Sequence, residues 1–152
     1  MPTPRRLPSE RGAAMVETII VIPVLLLVMF AIVELSRAWF TAQLATTAVR
    51  EAVRVAAVAA PADITSVGTQ RLNNVLAAGN MIGCPQDGAC VVATSVTQRD
   101  IAEVADPAET EVVATATVRF STLFANLLPA SLQAIDITQT AVMRHEGGPT
   151  PP

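Results

Sequence analysis

The first third of the chain is dominated by one uninterrupted run of apolar residues. From Thr18 to Val33 no side chain carries a charge, and Glu17 is the single ionisable residue between Gly12 and Glu34. At a rise of about 1.5 Å per residue, residues 13–33 span about 31 Å as a helix, which is close to the hydrocarbon thickness of a bilayer. The pattern therefore predicts a transmembrane helix.

After Val33 the pattern becomes amphipathic. Apolar and polar residues alternate at three- and four-residue spacings as far as the alanine-rich stretch before Pro61, and no Gly or Pro interrupts them after Pro23. Spacings of three and four are the signature of one buried helix face. The simplest prediction is one continuous transmembrane and amphipathic helix over residues 13–60, ended by Pro61.

The remaining chain predicts a small α+β domain. A short helix is expected between Asp63, as its capping residue, and Gly79, although Gly68 weakens its helix propensity. Three later segments alternate apolar and polar side chains with period two, which is typical of half-buried antiparallel strands: 90–98, 111–122 and 135–144. In the second segment the side chains expected to pack beneath the helices are Val112, Ala114, Ala116, Val118 and Phe120.

These elements divide the chain into four regions. They are a basic leader, the long helix, an outer α+β domain and a disordered tail, with boundaries at 1–12, 13–60, 61–146 and 147–152. The leader contains three prolines and ends in Gly12, a composition that cannot bury a core. The predicted fold class is α+β with a long N-terminal helix.

Arginine placement predicts the orientation in the membrane. The leader carries three positive charges, Arg5, Arg6 and Arg11. No other positive charge occurs before Arg37, and arginines favour the cytoplasmic side, so the N-terminus should be cytoplasmic and the outer domain extracytoplasmic. Trp39 and Phe40 fall just past the span, where aromatic side chains favour the membrane interface.

The charge of the outer region limits its partners. Residues 61–152 contain four Arg and nine Asp or Glu, a net charge of −5. Such a surface repels phosphates, so nucleic acid and anionic lipid headgroups are poor partners for it.

The two cysteines predict a disulfide. Cys84 and Cys90 are separated by Pro-Gln-Asp-Gly-Ala. Outside the membrane such a pair is more often a disulfide than two thiols, and closing so short a loop contributes at most about 2 kcal/mol. A metal site is the alternative, but it would need further ligands, and the only histidine is His145. We expect neither a metal nor a cofactor.

The outer domain offers little for catalysis. An active site needs titratable groups that converge in a pocket, whereas this region has one His, no Lys and no Tyr. His145 follows the last predicted strand, where a solvated side chain is expected. The sequence therefore predicts a protein that is not an enzyme.

Glu17 is the residue that most needs an explanation. A carboxylate four residues after Ala13, inside an apolar run, is costly to bury and is a functional candidate. One interpretation is that Glu17 lies at the cytoplasmic interface and reaches towards water. The other is that cleavage after Gly12 frees an amine at Ala13, close in depth to Glu17, so that the two charges neutralise each other within one chain or between packed chains.

The same residues carry a family resemblance. Gly12, Glu17, an apolar run containing Pro23 and then ELSRAWFTAQLATTAVREAVRVAA resemble, over residues 11–57, the TadE-like family of pseudopilins in tight-adherence pilus systems, a branch of the type IV pilin superfamily. TadF-like and some TadG-like proteins share this helix, so the resemblance leaves the individual component open.

The resemblance carries expectations about processing and partners. It implies that a prepilin peptidase removes the twelve-residue leader between Gly12 and Ala13, and that Glu17 becomes the fifth residue of the mature chain. It also implies a non-catalytic assembly component of the bacterial cytoplasmic membrane or the pilus, with the bilayer, pilin-like subunits and the assembly platform as partners.

Two alternatives from other classes stay open. One is an uncleaved bitopic membrane adaptor of the secretion machinery. The other is a secreted binding domain released by signal peptidase near Ser36-Arg37-Ala38. The N-terminal residue of the mature protein separates them, because it should be Ala13 for the pseudopilin, Met1 for the adaptor and Trp39 or a neighbour for the secreted domain.

The predicted topology and disulfide lead to one test. A reporter that is active only outside the cytoplasmic membrane, fused after Thr150, should be active. Protein prepared without reductant should have no titratable thiol, because Cys84 and Cys90 are bonded. An inactive reporter would contradict the topology, and free thiols would contradict the disulfide.

Overall fold

The computed structural model describes residues 9–79, 90–100, 110–123, 129 and 133–145. Their helices and strands are α1 (Ser9–Ala57), α2 (Ile64–Ala78), β1 (Val91–Asp100), β2 (Thr110–Ser121) and β3 (Ala134–Arg144). The α+β fold class is thus confirmed. Each strand begins and ends within two residues of the segment predicted from its period-two pattern.

The chain forms two compact units, Met1–Ser36 and Arg37–Pro152. We call the second unit the head. Helix α1 supplies the described part of the first unit and the first element of the head. It begins at Ser9, so the last four residues that the sequence assigned to the leader are helical, and Pro23 lies inside it.

The three strands form one antiparallel sheet with β2 in the middle. The register places Phe120 opposite Ile135 and Val118 opposite Ile137, and β1 has an irregularity between Val91 and Ala93. The apolar side chains of β2 predicted to pack beneath the helices are all buried, which confirms that face: Val112, Ala114, Ala116, Val118 and Phe120.

Both helices contribute to the core against this face. The α1 residues of the core are Ala45, Ala48, Val49, Ala52, Val53 and Ala56, and those of α2 are Ile64, Leu72 and Leu76. Gly68 permits the packing of α2, because a Cβ there would lie 2.8 Å from Val96 Cγ1 of β1 and 3.1 Å from Ala56 Cβ of α1. The glycine that weakens the helix locally is thus required for tertiary contact.

The ends of α2 agree only in part with the prediction. Asp63 occupies the N-cap position, but its side chain makes no capping hydrogen bond, so that detail of the prediction is wrong. Instead the Asp63 carbonyl accepts hydrogen bonds from the Val67 N–H and the Ser66 hydroxyl, each at 2.9 Å. Gly79 ends the helix as expected, and its N–H donates to the Val75 carbonyl at 3.1 Å.

Strand β3 is less covered than its alternating sequence suggests. Ile135 and Met143 lie opposite Phe120 and Val112 and so share the inner face, yet they are 53% and 38% exposed. β3 is an edge strand, and Ala141 is its one described residue packed against the core cluster. Period two identified the face correctly, but burial depended on where the helices lie.

The outer face of the sheet is held by polar pairs across the strands. The hydroxyls of Thr117 and Thr138 are 3.0 Å apart, and Arg119 donates two hydrogen bonds to Asp136, at 2.8 and 3.1 Å. The hydrogen bond from Arg119 lowers the pKa of the Asp136 carboxyl, and the carboxylate raises the pKa of Arg119. Both side chains are half-exposed, so this pair supports the register more than it adds to stability.

The burial of β2 predicts unequal effects of two neighbouring substitutions. Phe120→Ala should lower the free energy of unfolding by about 3 to 5 kcal/mol, as for other buried aromatic residues. Thr117→Ala removes one exposed hydrogen bond and should cost about 1 kcal/mol or less. Urea titration of the full chain in detergent, followed by circular dichroism and by the fluorescence of Trp39, measures both. Comparable losses would contradict the assignment of the two faces.

The Arg119 and Asp136 pair predicts a pH dependence. Because the pKa of Asp136 is lowered by folding, its stabilisation is fully present above the unfolded pKa of about 3.9 and is lost as pH falls through the lower folded value. The small difference in urea midpoint between wild type and Asp136→Asn should therefore be constant above about pH 5 and vanish on acidification. For the control Thr138→Ala, the urea midpoint should differ from that of wild type by the same amount at every pH. If the difference for Asp136→Asn were also constant with pH, the lowered pKa of Asp136 would not contribute to stability.

Candidate functional site

Helix α1 places the predicted processing and assembly residues within two turns. Gly12, Ala13 and Glu17 all lie in α1, and Gly12 and Glu17 are exposed. Ala13 and Glu17 are four residues apart, so they lie on one helix face about 6 Å apart along the axis. An amine at Ala13 would therefore be one turn from the Glu17 carboxylate.

The other polar side chain of the apolar run is satisfied by the helix itself. The Thr18 hydroxyl donates to the Ala14 carbonyl at 2.8 Å, and just beyond the run the Ser36 hydroxyl donates to the Ile32 carbonyl at 2.8 Å. Such back-bonding satisfies a hydroxyl in surroundings without water. Glu17 is left as the one charged side chain between Ala14 and Val33.

The surface of the apolar run is uncovered by protein. The large apolar side chains from Met15 to Val33 are each between 42% and 69% exposed. Among the described residues one helix, Ala14–Ala57, is long and apolar enough to cross a membrane, and its most apolar stretch is not buried by protein. Length and composition thus indicate a single-pass membrane protein.

Arg37 begins the head and is buried in it. The side chain is only 8% exposed, and its guanidinium carbon lies 5.2 Å from the centroid of the Phe120 ring, within the range of a cation–π contact. One turn later Thr41 is also buried, and its hydroxyl donates to the Arg37 carbonyl at 3.0 Å. This contact joins the start of the α1 segment of the head to the end of β2.

The sequence analysis gave Arg37 no place in the core and missed this contact. The signal was present in the spacing, because Arg37, Thr41 and Ala45 follow one another at four-residue intervals. They continue the helix face that Ala48 and Ala52 bury, and residues at such intervals share one face. A charged residue that leads an otherwise buried face is a candidate for burial against an aromatic ring.

His145 marks the opposite end of the head. Its backbone N–H donates to the Thr110 carbonyl at 2.8 Å, and its ring Nε2 lies 3.1 Å from the Ala59 carbonyl. The side chain is partly buried, so the expectation of a solvated histidine is wrong. In the described parts of the chain no group of three or more His, Cys, Asp or Glu is arranged to hold a metal ion.

The contact of Arg37 with Phe120 and the contact of His145 with Ala59 define the direction of the sheet relative to the α1 segment of the head. Arg37 meets Phe120 at one end, which we call the proximal end, and Ala59 meets His145 at the other, the distal end. The α1 segment from Arg37 to Ala57 is about 30 Å long, and ten residues of β2 span about 34 Å. Helix segment and strand therefore match in length.

Only one of the two predicted disulfide cysteines is described. Cys90 is 7% exposed within the core cluster, and its carbonyl accepts a hydrogen bond from the Arg119 N–H at 2.7 Å. Cys84 lies outside the described residues. The disulfide therefore stays a prediction.

Comparison with known proteins places the N-terminal region. The family model described as TadE-like protein matches residues 12–54, which begin at Gly12 and end inside α1. No curated protein and no solved structure matches the chain. The predicted resemblance is thereby confirmed for this part of the chain: residues 12–54 are similar to the TadE-like family.

Proposed function

We propose that this chain is a non-catalytic, pseudopilin-like subunit of a tight-adherence pilus assembly or secretion system. Helix α1 anchors it in the bacterial cytoplasmic membrane, with the N-terminus cytoplasmic and the head outside. The observation that carries the proposal is the exposed apolar run of α1 with its one carboxylate, in a segment whose family match begins at Gly12. Its partners are the bilayer, a prepilin peptidase, other pilin-like subunits and the assembly platform.

Processing separates the leader between Gly12 and Ala13. Helix α1 runs through this bond, so the peptidase must unwind the first turns of the helix. Gly12 lowers the cost, because glycine is about 1 kcal/mol less favourable than alanine in a helix. Apart from its two neighbours and the backbone of α1 itself, no described atom lies within 4 Å of the position of a Cβ on Gly12, so a second protein can approach this side of the helix.

The role of Glu17 follows from the cost of its charge. A carboxylate within the apolar run requires a partner at its own depth, and the amine freed at Ala13 lies on the same helix face about 6 Å away. In a bundle of such helices the amine of one chain can also reach the carboxylate of the next. Removing one member of the pair leaves the other charge unpaired in a water-poor environment.

The contact of Arg37 with Phe120 argues against the secreted binding domain. Cleavage near Ala38 would separate Arg37 from the head, although the head buries its side chain against the Phe120 ring. It would also cut α1 just before Thr41, which is buried. The uncleaved adaptor retains these contacts, so the mature N-terminus distinguishes it: Ala13 supports the pseudopilin and Met1 the adaptor.

Glu17→Ala should impair assembly without impairing insertion. The substitution removes a costly polar group, so the amount of protein in the membrane should be unchanged or slightly higher. Truncating one partner of a desolvated charge pair costs about 2 to 5 kcal/mol, so co-purification with the pilus machinery should fall at least about tenfold. The comparison uses processed wild type and processed Glu17→Ala at equal membrane levels.

Two further variants make this comparison specific. Thr18→Ala removes a neighbouring polar group that the helix already satisfies, so assembly should be retained. Gly12→Asp should block cleavage, retain the leader and abolish assembly by a different route. Equal recovery of wild type and Glu17→Ala would make Glu17 an interfacial carboxylate and favour the adaptor.

A further inference from the structure

The proximal end of the head carries exposed large apolar side chains from two distant parts of the sequence. They are Trp39, Phe40, Leu123 and Ile135, which are 67%, 46%, 60% and 53% exposed. We call these four residues the apolar rim. The aromatic pair belongs to α1, whereas Leu123 follows β2 and Ile135 belongs to β3.

Described contacts bring the four residues to one end. Arg37 lies over Phe120, and Phe120 pairs with Ile135 in the sheet. Beyond that pair the Thr122 N–H donates to the Gln133 carbonyl at 3.1 Å. This hydrogen bond is next to Leu123, which lies in the segment between β2 and β3. Trp39 and Phe40 are within one helical turn of Arg37, so all four residues belong to the proximal end of the head.

The charges of the same end are engaged within the head. Arg37 is buried against Phe120, and Arg119 and Asp136 neutralise each other through two hydrogen bonds. Three further charged residues lie towards the distal end: Arg99, Glu111 and Arg144. In the strand register each is within two positions of Thr110 or His145, where the sheet ends. Arg37 is thus withdrawn from the surface and the Arg119–Asp136 pair has no net charge, so the exposed apolar groups are the part of this end that gains most from leaving water.

We propose that the apolar rim is a lipid-docking surface that rests in the interfacial region of the outer leaflet. The inference depends on the proposed membrane span. Only three residues separate Val33, the end of the apolar run, from Arg37, so the proximal end begins about 6 Å beyond the run. Tryptophan favours this depth, and because the exposed Arg119–Asp136 pair has no net charge, a zwitterionic lipid surface is the fitting partner. The rim would hold the unassembled subunit close to the bilayer.

Tryptophan scanning of the full chain in vesicles tests this surface. Trp39 is the only tryptophan, so wild type provides the first probe. In a Trp39→Phe background, Leu123→Trp and Ile135→Trp probe the rim, while Val142→Trp and Val58→Trp are controls at positions that are 49% and 70% exposed. Ile135 and Val142 are matched in exposure and lie about 24 Å apart on one strand, on opposite faces of the sheet.

Vesicles of phosphatidylcholine brominated near the top of the acyl chains serve as quenchers, with unbrominated vesicles as reference. Each variant is first required to match wild type in circular dichroism. The Leu123→Trp and Ile135→Trp probes, like Trp39, should have blue-shifted emission and lose most of their fluorescence to bromine, and the two controls should lose none. Raised salt should leave the quenching unchanged, because the rim is uncharged.

The outcomes separate failure of the rim from failure of the proposed function. If the protein floats with the vesicles and Trp39 is quenched while the two rim probes are not, the lipid-docking surface is overturned and the span stands. If the fluorescence of the rim probes instead depends on the number of protein molecules per vesicle and is the same in brominated and unbrominated vesicles, the rim contacts a second copy of the chain and the lipid-docking surface is overturned. Failure to float with vesicles would overturn both the span and the rim.

Discussion

The head depends on one core that α1, α2 and the inner face of β2 share. Many of its residues are small: Ala45, Ala48, Ala52 and Ala56 on α1 and Ala114 and Ala116 on β2, each at 0% exposure. The closest approach of helix to strand is that of α2 to β1, where Gly68 leaves no room for a Cβ beside Val96. Dense packing of such a core gives many weak dispersion contacts, and larger side chains at these positions would push the elements apart.

Two polar contacts hold this packing at its ends. Arg37 over Phe120 closes the proximal end, and His145 at the Ala59 carbonyl closes the distal end. Neither is a large source of stability, but together they determine the position of the helix segment along the strand. Sliding α1 by one turn would remove both contacts while leaving an alanine face opposite the sheet. The polar contacts therefore provide the register that a repetitive alanine surface lacks.

One helix serves two environments. In residues 14–33 the apolar side chains point in every direction and none is buried by protein, whereas in residues 41–57 the helix has one buried face. An all-round apolar helix requires lipid or other helices, and a one-sided helix requires a folded partner. The change between the two patterns at Arg37 links membrane anchoring to folding of the head. The apolar rim would extend the contact with lipid from the helix to the head itself.

The sequence by itself determined the elements and much of the candidate site. Periods of two and of three to four are local properties of the chain, so the strands, their buried face and the extent of the long helix could be predicted. Gly12, Ala13 and Glu17 were also accessible, because they lie within one helix and their relation follows from helix geometry. The family match over residues 12–54 belongs to the same local part of the chain.

Only the tertiary structure decided which groups meet from distant positions. Arg37 and Phe120 are more than eighty residues apart, so helix spacing can place Arg37 on a buried face but cannot identify Phe120 as the ring that it contacts. Gly68 weakens a helix by propensity, yet the space between Val96 and Ala56 admits no side chain there. The exposure of Ile135 and the contact of His145 likewise depend on where α1 and α2 cover the sheet. Spacing along the chain specifies which side chains share a face, whereas burial depends on the other elements that pack against that face.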